Sequence, residues 1–298
     1  MINSMSNRPK PRLAWSTATT LSTAIWLVTS QLAGCGLEAE HNGDGSEEVA
    51  RNQHAIHGAG GEGEGGEGAS AGQGGEGEGA TIQVAEFAAD DIAYLTQLGL
   101  IRGHLAVGYA LYQQGLPDLA ETHMQHPHEE IYLGVEPAFA ARGCEGFAEE
   151  LRQLTGAVMS RVPMPQVDAA YARLATAIKA CERSAASDDP GVITGVIENL
   201  LHTAGVEYQI GVIDGRINNL HEYQDAWGFT QIAVSLTRST AFENDPRARA
   251  VAAQLENLIA RLQSMWPSLN PPGPVESEAA QLFGAAGRTE IIGLALVQ

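Results

Sequence analysis

The sequence predicts an all-α protein, an up-and-down bundle of six to eight helices carried behind a targeting segment and a flexible tether. Three observations point there. In the last two thirds of the chain apolar residues recur at spacings of three and four, the helical period. Asp-Pro pairs and proline clusters punctuate that region where helices start and stop. Between them there is no strand alternation of useful length and no hairpin signal.

The chain has 298 residues, with 17 Lys and Arg against 36 Asp and Glu and a net charge of −19. Such acidity excludes a protein built to grip nucleic acid or an anionic membrane surface, because both need a basic patch. Its 34 glycines are too many for one compact domain of this length. Both excesses are unevenly spread along the chain.

Residues 1–34 read as a signal peptide. Arg8, Lys10 and Arg12 form a basic start with no acid, and an apolar stretch follows from Leu13 to Leu32. It ends in Leu32-Ala33-Gly34-Cys35. Residues 35–80 read as a tether: residues 36–80 hold 15 of the glycines, ten acids and the single base Arg51. Almost no large apolar side chain is there to offset the entropy of ordering it. A flexible chain of that length has an r.m.s. reach of about 35–40 Å. His54 and His57 lie in this segment, where a floppy backbone preorganises no ligand shell.

Residues 81–298 carry the bundle, with 13 bases and 26 acids, a net −13. Tyr94, Leu98, Ile101, Leu105, Tyr109 and Tyr112 line one face of a first long helix, which Gly115 and Pro117 end. Pro163 and Pro165 break the chain before the next periodic run. Asp189-Pro190 and Asp245-Pro246 each read as an N-cap followed by proline at the first helical position, where its missing N–H costs nothing. Residues 190–213, rich in Val, Ile and Leu, predict a deeply buried helix. Pro267, Pro271, Pro272 and Pro274 mark a turn before a last helix from about Ser277. Gly108, Leu111, Tyr112, Gly115 and Ala120 sit near the spacing of a tetratricopeptide hairpin. No second copy follows, so a single hairpin packed through small residues is expected.

The residues with metal chemistry cluster around that hairpin. His123, His126, His128, Glu129 and Glu130 fall within eight residues, and the three- and four-residue spacings put His123, His126 and Glu130 on one helical face. Imidazole and carboxylate together suit iron, zinc or copper. Pro127 is expected to start a new helix there. His104 lies at the edge of the first helix's apolar face, from which it can point at His123 and His126. Glu198 and His202, four apart in the buried helix, are candidates for a second contribution from a facing helix, since a buried carboxylate needs a partner; pairing with each other is the plainer alternative. His221-Glu222-Tyr223-Gln224-Asp225 fails the zincin pattern, which needs a second His where Asp225 stands. Residues 81–298 contain no Glu-x-x-His pair, no phosphate-binding loop, no GxSxG and no dinucleotide fingerprint, so no enzyme class has positive support in the bundle. Cys144 and Cys181 either form a disulfide, as an oxidising compartment allows, or remain two buried thiols.

Three resemblances add expectations. Leu32-Ala33-Gly34-Cys35 resembles the lipobox of bacterial lipoproteins, which implies cleavage before Cys35 and its lipidation. Gly36, rather than Asp, after that cysteine implies the outer membrane, with the domain at its periplasmic face if the cell is Gram-negative. Residues 208–217, with Glu222-Tyr223-Gln224-Asp225 and Phe229, resemble the extracytoplasmic helical domains of high-affinity iron permeases. Gly103-His104-Leu105 through His126-Pro127, with Glu129 or Glu130, is similar to bacterial envelope proteins of the same helical kind. The imelysin-like proteins are a more distant likeness. Their Gly-x-His-x-x-Glu motif is half met by His126-x-x-Glu129, with Met124 in place of the glycine.

The expected protein is therefore a non-catalytic, lipid-anchored helical protein of the cell envelope. It binds a transition metal ion (iron, zinc or copper) through His104, His123, His126 and Glu130, with Glu198 and His202. Its expected partners are the membrane, through the anchor, and a metal-uptake system or another envelope protein, with no nucleic acid. The alternative is a scaffold lipoprotein with no metal.

Overall fold

A computed structural model of the chain describes residues 86–297. The signal segment, Cys35 and the tether with His54 and His57 lie outside the described residues. Among those described are nine α-helices, and the only strands are two of two residues each. The all-α expectation holds. The count exceeds six to eight because the stretch after the first helix breaks into short pieces.

Helix α1 (Asp91–Gln113) starts at an Asp90 cap whose carboxylate accepts from the Ile92 and Ala93 amides. Its turn to α2 (Pro117–His126) uses Gly115 at φ 75°. The two form the expected hairpin: a methyl group at Gly108 would stand 2.8 Å from Met124 Cε and 3.1 Å from the Ala120 carbonyl. Small residues let these helices approach.

Pro127 does not begin a separate helix. Pro127–Tyr132 is a π-helical turn continuous with both α2 and α3 (Leu133–Arg142). Helix α4 (Ala148–Met159) and α5 (Met164–Glu182) follow, divided at Pro163 as expected. Cys144 and Cys181 are joined as a disulfide, with Cα atoms 5.2 Å apart, tying the start of α4 to the end of α5.

Helix α6 (Pro190–Gly211) and α8 (Pro246–Ala260) begin at the predicted Asp-Pro caps. The Asp189 carboxylate accepts from Gly191 and Val192, and that of Asp245 from Ala248. Between α6 and α7 (Leu220–Leu236) runs a hairpin that the sequence reading missed. Val212–Ile213 pairs antiparallel with Arg216–Ile217 around Asp214-Gly215. Both turn residues have positive φ, 51° and 71°, the conformation an Asp-Gly pair favours. Helix α9 (Ala280–Gly293) closes the described residues after the proline turn.

Helices α1, α6 and α7 pack together to make the core around the candidate site. Glycines set their spacing. A methyl group at Gly103 would collide with the Phe229 ring, and one at Gly228 with the Gly103 carbonyl and Val107. Gly99 and Gly195 of the neighbouring pair receive Leu200 and Ile92.

Candidate metal centre

Three buried side chains meet between α1, α2 and α7. His104 comes from the middle of α1, His123 from the last turn of α2 and Asp225 from the second turn of α7. All three are fully buried. His104 Nδ1 lies 2.8 Å and His123 Nδ1 2.9 Å from the same oxygen, Asp225 Oδ1. The other oxygen, Oδ2, lies 3.0 Å from His221 Nδ1. Glu222 adds a carboxylate 3.9 Å from that nitrogen. Two ligand groups result, each with its ligand atoms within 4.8 Å of one another: His104, His123 and Asp225, and His221, Glu222 and Asp225.

The start of α7 aims the second group. Asn219 caps the helix by accepting from the His221 amide, while its own amide group lies 3.4 Å from Glu222 Oε1. Asn219 thus both caps the helix and holds the Glu222 side chain. With the start fixed, His221 and Asp225, four apart, share one face. The segment after α8 holds α7 from outside. The Trp266 indole donates to the Tyr223 carbonyl, the Tyr223 hydroxyl donates to the Ser268 carbonyl, and the Gln224 amide donates to the Leu269 carbonyl at 2.8 Å.

That last bond decides the chemistry of His123. With its NH₂ group committed to Leu269, Gln224 presents Oε1 to His123 Nε2 at 2.8 Å. Two acceptors cannot face one another at that distance, so Nε2 carries the hydrogen. On the other side of the ring Nδ1 lies 2.9 Å from Asp225 Oδ1, again two acceptors unless a cation stands between them. Burial drives the His123 pKa below its usual value, against the opposing pull of Asp225. A proton or a metal ion meets that need, and burial works against the doubly protonated ring.

Asp225 itself stays ionised. Burial would raise its pKa, but the charges and hydrogen bonds of His104 and His123 together hold it far below the ordinary carboxylate range. His221 goes the other way. Burial pulls its pKa down, yet Glu222 and Asp225 outweigh that and raise it.

The other predicted ligands sit elsewhere or further out. His126 and Glu130 face each other at 3.1 Å, one third or more exposed. The His126 ring is 4.3 Å from that of His221, which in turn stacks on His123 at 4.1 Å and 11°. These rings run from the surface to the buried pair. Burial, with the charges of His221 and His104, lowers the His126 pKa. Glu198 and His202 are not brought to this group. The His202 ring lies 5.4 Å from Phe283 of α9, and Glu198, its pKa raised by burial, is further raised by Glu290 of the same helix.

The fully buried acid of α6 is instead Glu207. Ile92 packs on Gly195, Thr96 accepts from Asn199, and Gly99 receives Leu200. Continued along the two helices, that register puts Glu207 level with His104. The apolar run and the four-residue spacing of Glu198 and His202 do not tell one face of α6 from another. His221, Glu222 and Asp225 were set aside for lacking the zincin spacing, although Asn219-x-x-Glu222 and His221-x-x-x-Asp225 were signals for a capped helix with two ligands on one face.

Among the described residues no helix is long and apolar enough to cross a membrane. No curated protein and no solved structure matches the chain. Residues 183–289 match the family model of the iron permease-associated 4-helix bundle domain. The match takes in α6, the hairpin, α7, α8 and most of α9, including Glu207, His221, Glu222 and Asp225, whereas His104 and His123 precede it. The chain thus carries, over that stretch, a helical domain similar to those associated with iron permeases.

Proposed function

We propose that this protein binds a first-row transition metal ion, iron foremost, between His104, His123 and Asp225, and serves an iron-uptake system of the cell envelope. One observation carries the reading: His104, His123 and Asp225 are fully buried with their ligand atoms within 4.8 Å of one another, and Gln224 holds the far side of the His123 ring. Imidazole and carboxylate ligands suit Fe(II) and its neighbours, and a hydrogen-bonded outer partner such as Gln224 is how proteins orient a ligating histidine. The similarity of residues 183–289 to an iron permease-associated domain favours iron. His126 and Glu130, one third or more exposed, lie on the solvent side of His221. We further propose lipid anchoring through Cys35, with the acidic tether holding the domain off the membrane, and a binding rather than catalytic role.

A second reading has its own support. Glu222 and Asp225 raise the His221 pKa, and a protonated His221 would offset the Asp225 charge without a metal. The same residues would then be a buried polar network fixing α1, α2 and α7 in a scaffold lipoprotein.

Metal analysis of the purified protein separates the two. The first reading expects Fe(II), Zn(II) or Cu(II) to survive gel filtration on the wild type and to fall in His104→Ala/His123→Ala. Gln224→Leu should keep the ligands but weaken affinity by about 10–100-fold. Equal metal content in all three, with native helicity, would sink the metal reading.

A further inference from the structure

The two ligand groups share one residue only. His104 and His123 come from α1 and α2, whereas His221 and Glu222 belong to the first turn of α7. The shared residue, Asp225, addresses them with different atoms. Oδ1 faces His104 and His123 at 2.8 and 2.9 Å, and Oδ2 faces His221 at 3.0 Å. Neither group needs an atom that the other uses.

The rings support the same division. His123 and His221 stack nearly parallel, with centroids 4.1 Å apart and planes 11° from each other. Each turns its Nδ1 to its own oxygen of the one carboxylate. Two nitrogens presented side by side to the two oxygens of a bridging carboxylate match centres in which paired ions stand about 3.5–4 Å apart. His221 Nε2 is buried and has no hydrogen-bond partner among the described residues, so none of them holds that nitrogen against a small rotation of the ring toward an ion.

We propose that the site is dinuclear: two metal ions bind at once, one held by His104, His123 and Asp225 Oδ1, the other by His221, Glu222 and Asp225 Oδ2, with Asp225 as the bridge. The proposal rests on the metal-binding reading above and goes beyond it in stoichiometry and in giving the α7 group its own ion. The ligand class is a pair of divalent first-row ions, because imidazole and carboxylate are the donors on both sides.

Anaerobic titration of the full chain with Fe(II), followed by metal analysis after gel filtration, tests it. Two equivalents are expected for the wild type. One equivalent is expected for His221→Ala/Glu222→Gln, which leaves the buried group intact. With Co(II) in place of iron, the doubly loaded wild type should show magnetic coupling between its ions, and the singly loaded variant none. This second readout needs no variant, so it stands if the double substitution fails to fold. Saturation of the wild type at one equivalent, lost on His104→Ala/His123→Ala, would overturn the dinuclear proposal and leave single-ion binding in place. Absence of any retained metal on the wild type would overturn both.

Discussion

Asp225 is the residue on which the site turns. A carboxylate with no exposed surface is tolerated because three imidazoles surround it, since a buried charge without partners costs several kcal/mol. The histidines divide by environment. Burial pushes the pKa of His123 and His126 down, while the acids beside His221 raise it against the same burial. In NMR titrations of the metal-free protein, His123 and His126 should therefore titrate below 6.5 and His221 above it. For His123 the unfolded chain binds the proton more readily than the fold does. Its contribution to stability is present above about 6.5 and is lost as pH falls toward its folded pKa. Metal binding must displace the His221 proton wherever that residue is a ligand, so affinity should rise with pH through the raised His221 value. Titration of His123 above His221 would contradict the assignment.

At the scale of elements, the site exists because α1 and α7 lie unusually close. Gly103 and Gly228 face each other's helices with no room for a methyl group. Gly228→Ala should force the helices apart and destabilise the protein by about 1–3 kcal/mol, the usual cost of overpacking a filled core. The same displacement carries Asp225 away from His104, so metal affinity should fall further than at a control such as Gly284→Ala, whose methyl group meets open space. Denaturant midpoints and metal retention measured on both variants check this. The Trp266–Leu269 segment matters for the same reason. Its carbonyls hold Tyr223 and Gln224, and through Gln224 they set the face that His123 shows to Asp225.

At the scale of the whole molecule, the Cys144–Cys181 disulfide closes a loop of 37 residues containing α4 and α5. In the chain-entropy account a loop of that length is worth about 3–4 kcal/mol through the unfolded state. Reduction, or Cys144→Ser/Cys181→Ser, should lower stability by that order in chemical denaturation while leaving metal stoichiometry unchanged, because neither cysteine nor the loop supplies a ligand. Loss of metal on reduction alone would show that α4 and α5 support the site more directly. The charge of −19 also divides at this scale. Ten of the acids fall in residues 36–80, and those nearest the candidate metal site are the few that the fold buries: Glu207, Glu222 and Asp225.

Local signals were enough for the elements whose cause is local. Asp90 was not read as a cap, but Asp189-Pro190 and Asp245-Pro246 were, and both start helices, because capping bonds span two or three residues. The spacing from Tyr94 to Tyr112 marked α1 because one buried stripe imposes its own period. Asp214-Gly215 was equally local and was overlooked. His104 and His123 were legible as ligand candidates through residue type and the short antiparallel connection between their helices. Their partner was not. Asp225 lies more than a hundred residues from both, and only packing of α7 against α1 through Gly103 and Gly228 brings it there. Glu198 and Glu207 sit in one apolar helix, and only the neighbours of α6 determine which of the two is buried. The sequence by itself determined where helices begin, which side chains have metal-binding chemistry and where charge accumulates, because those depend on neighbours along the chain. The tertiary structure decided which carboxylate the histidines meet and which groups face the two ring nitrogens of His123, because burial and long-range hydrogen bonds exist only once the helices have packed.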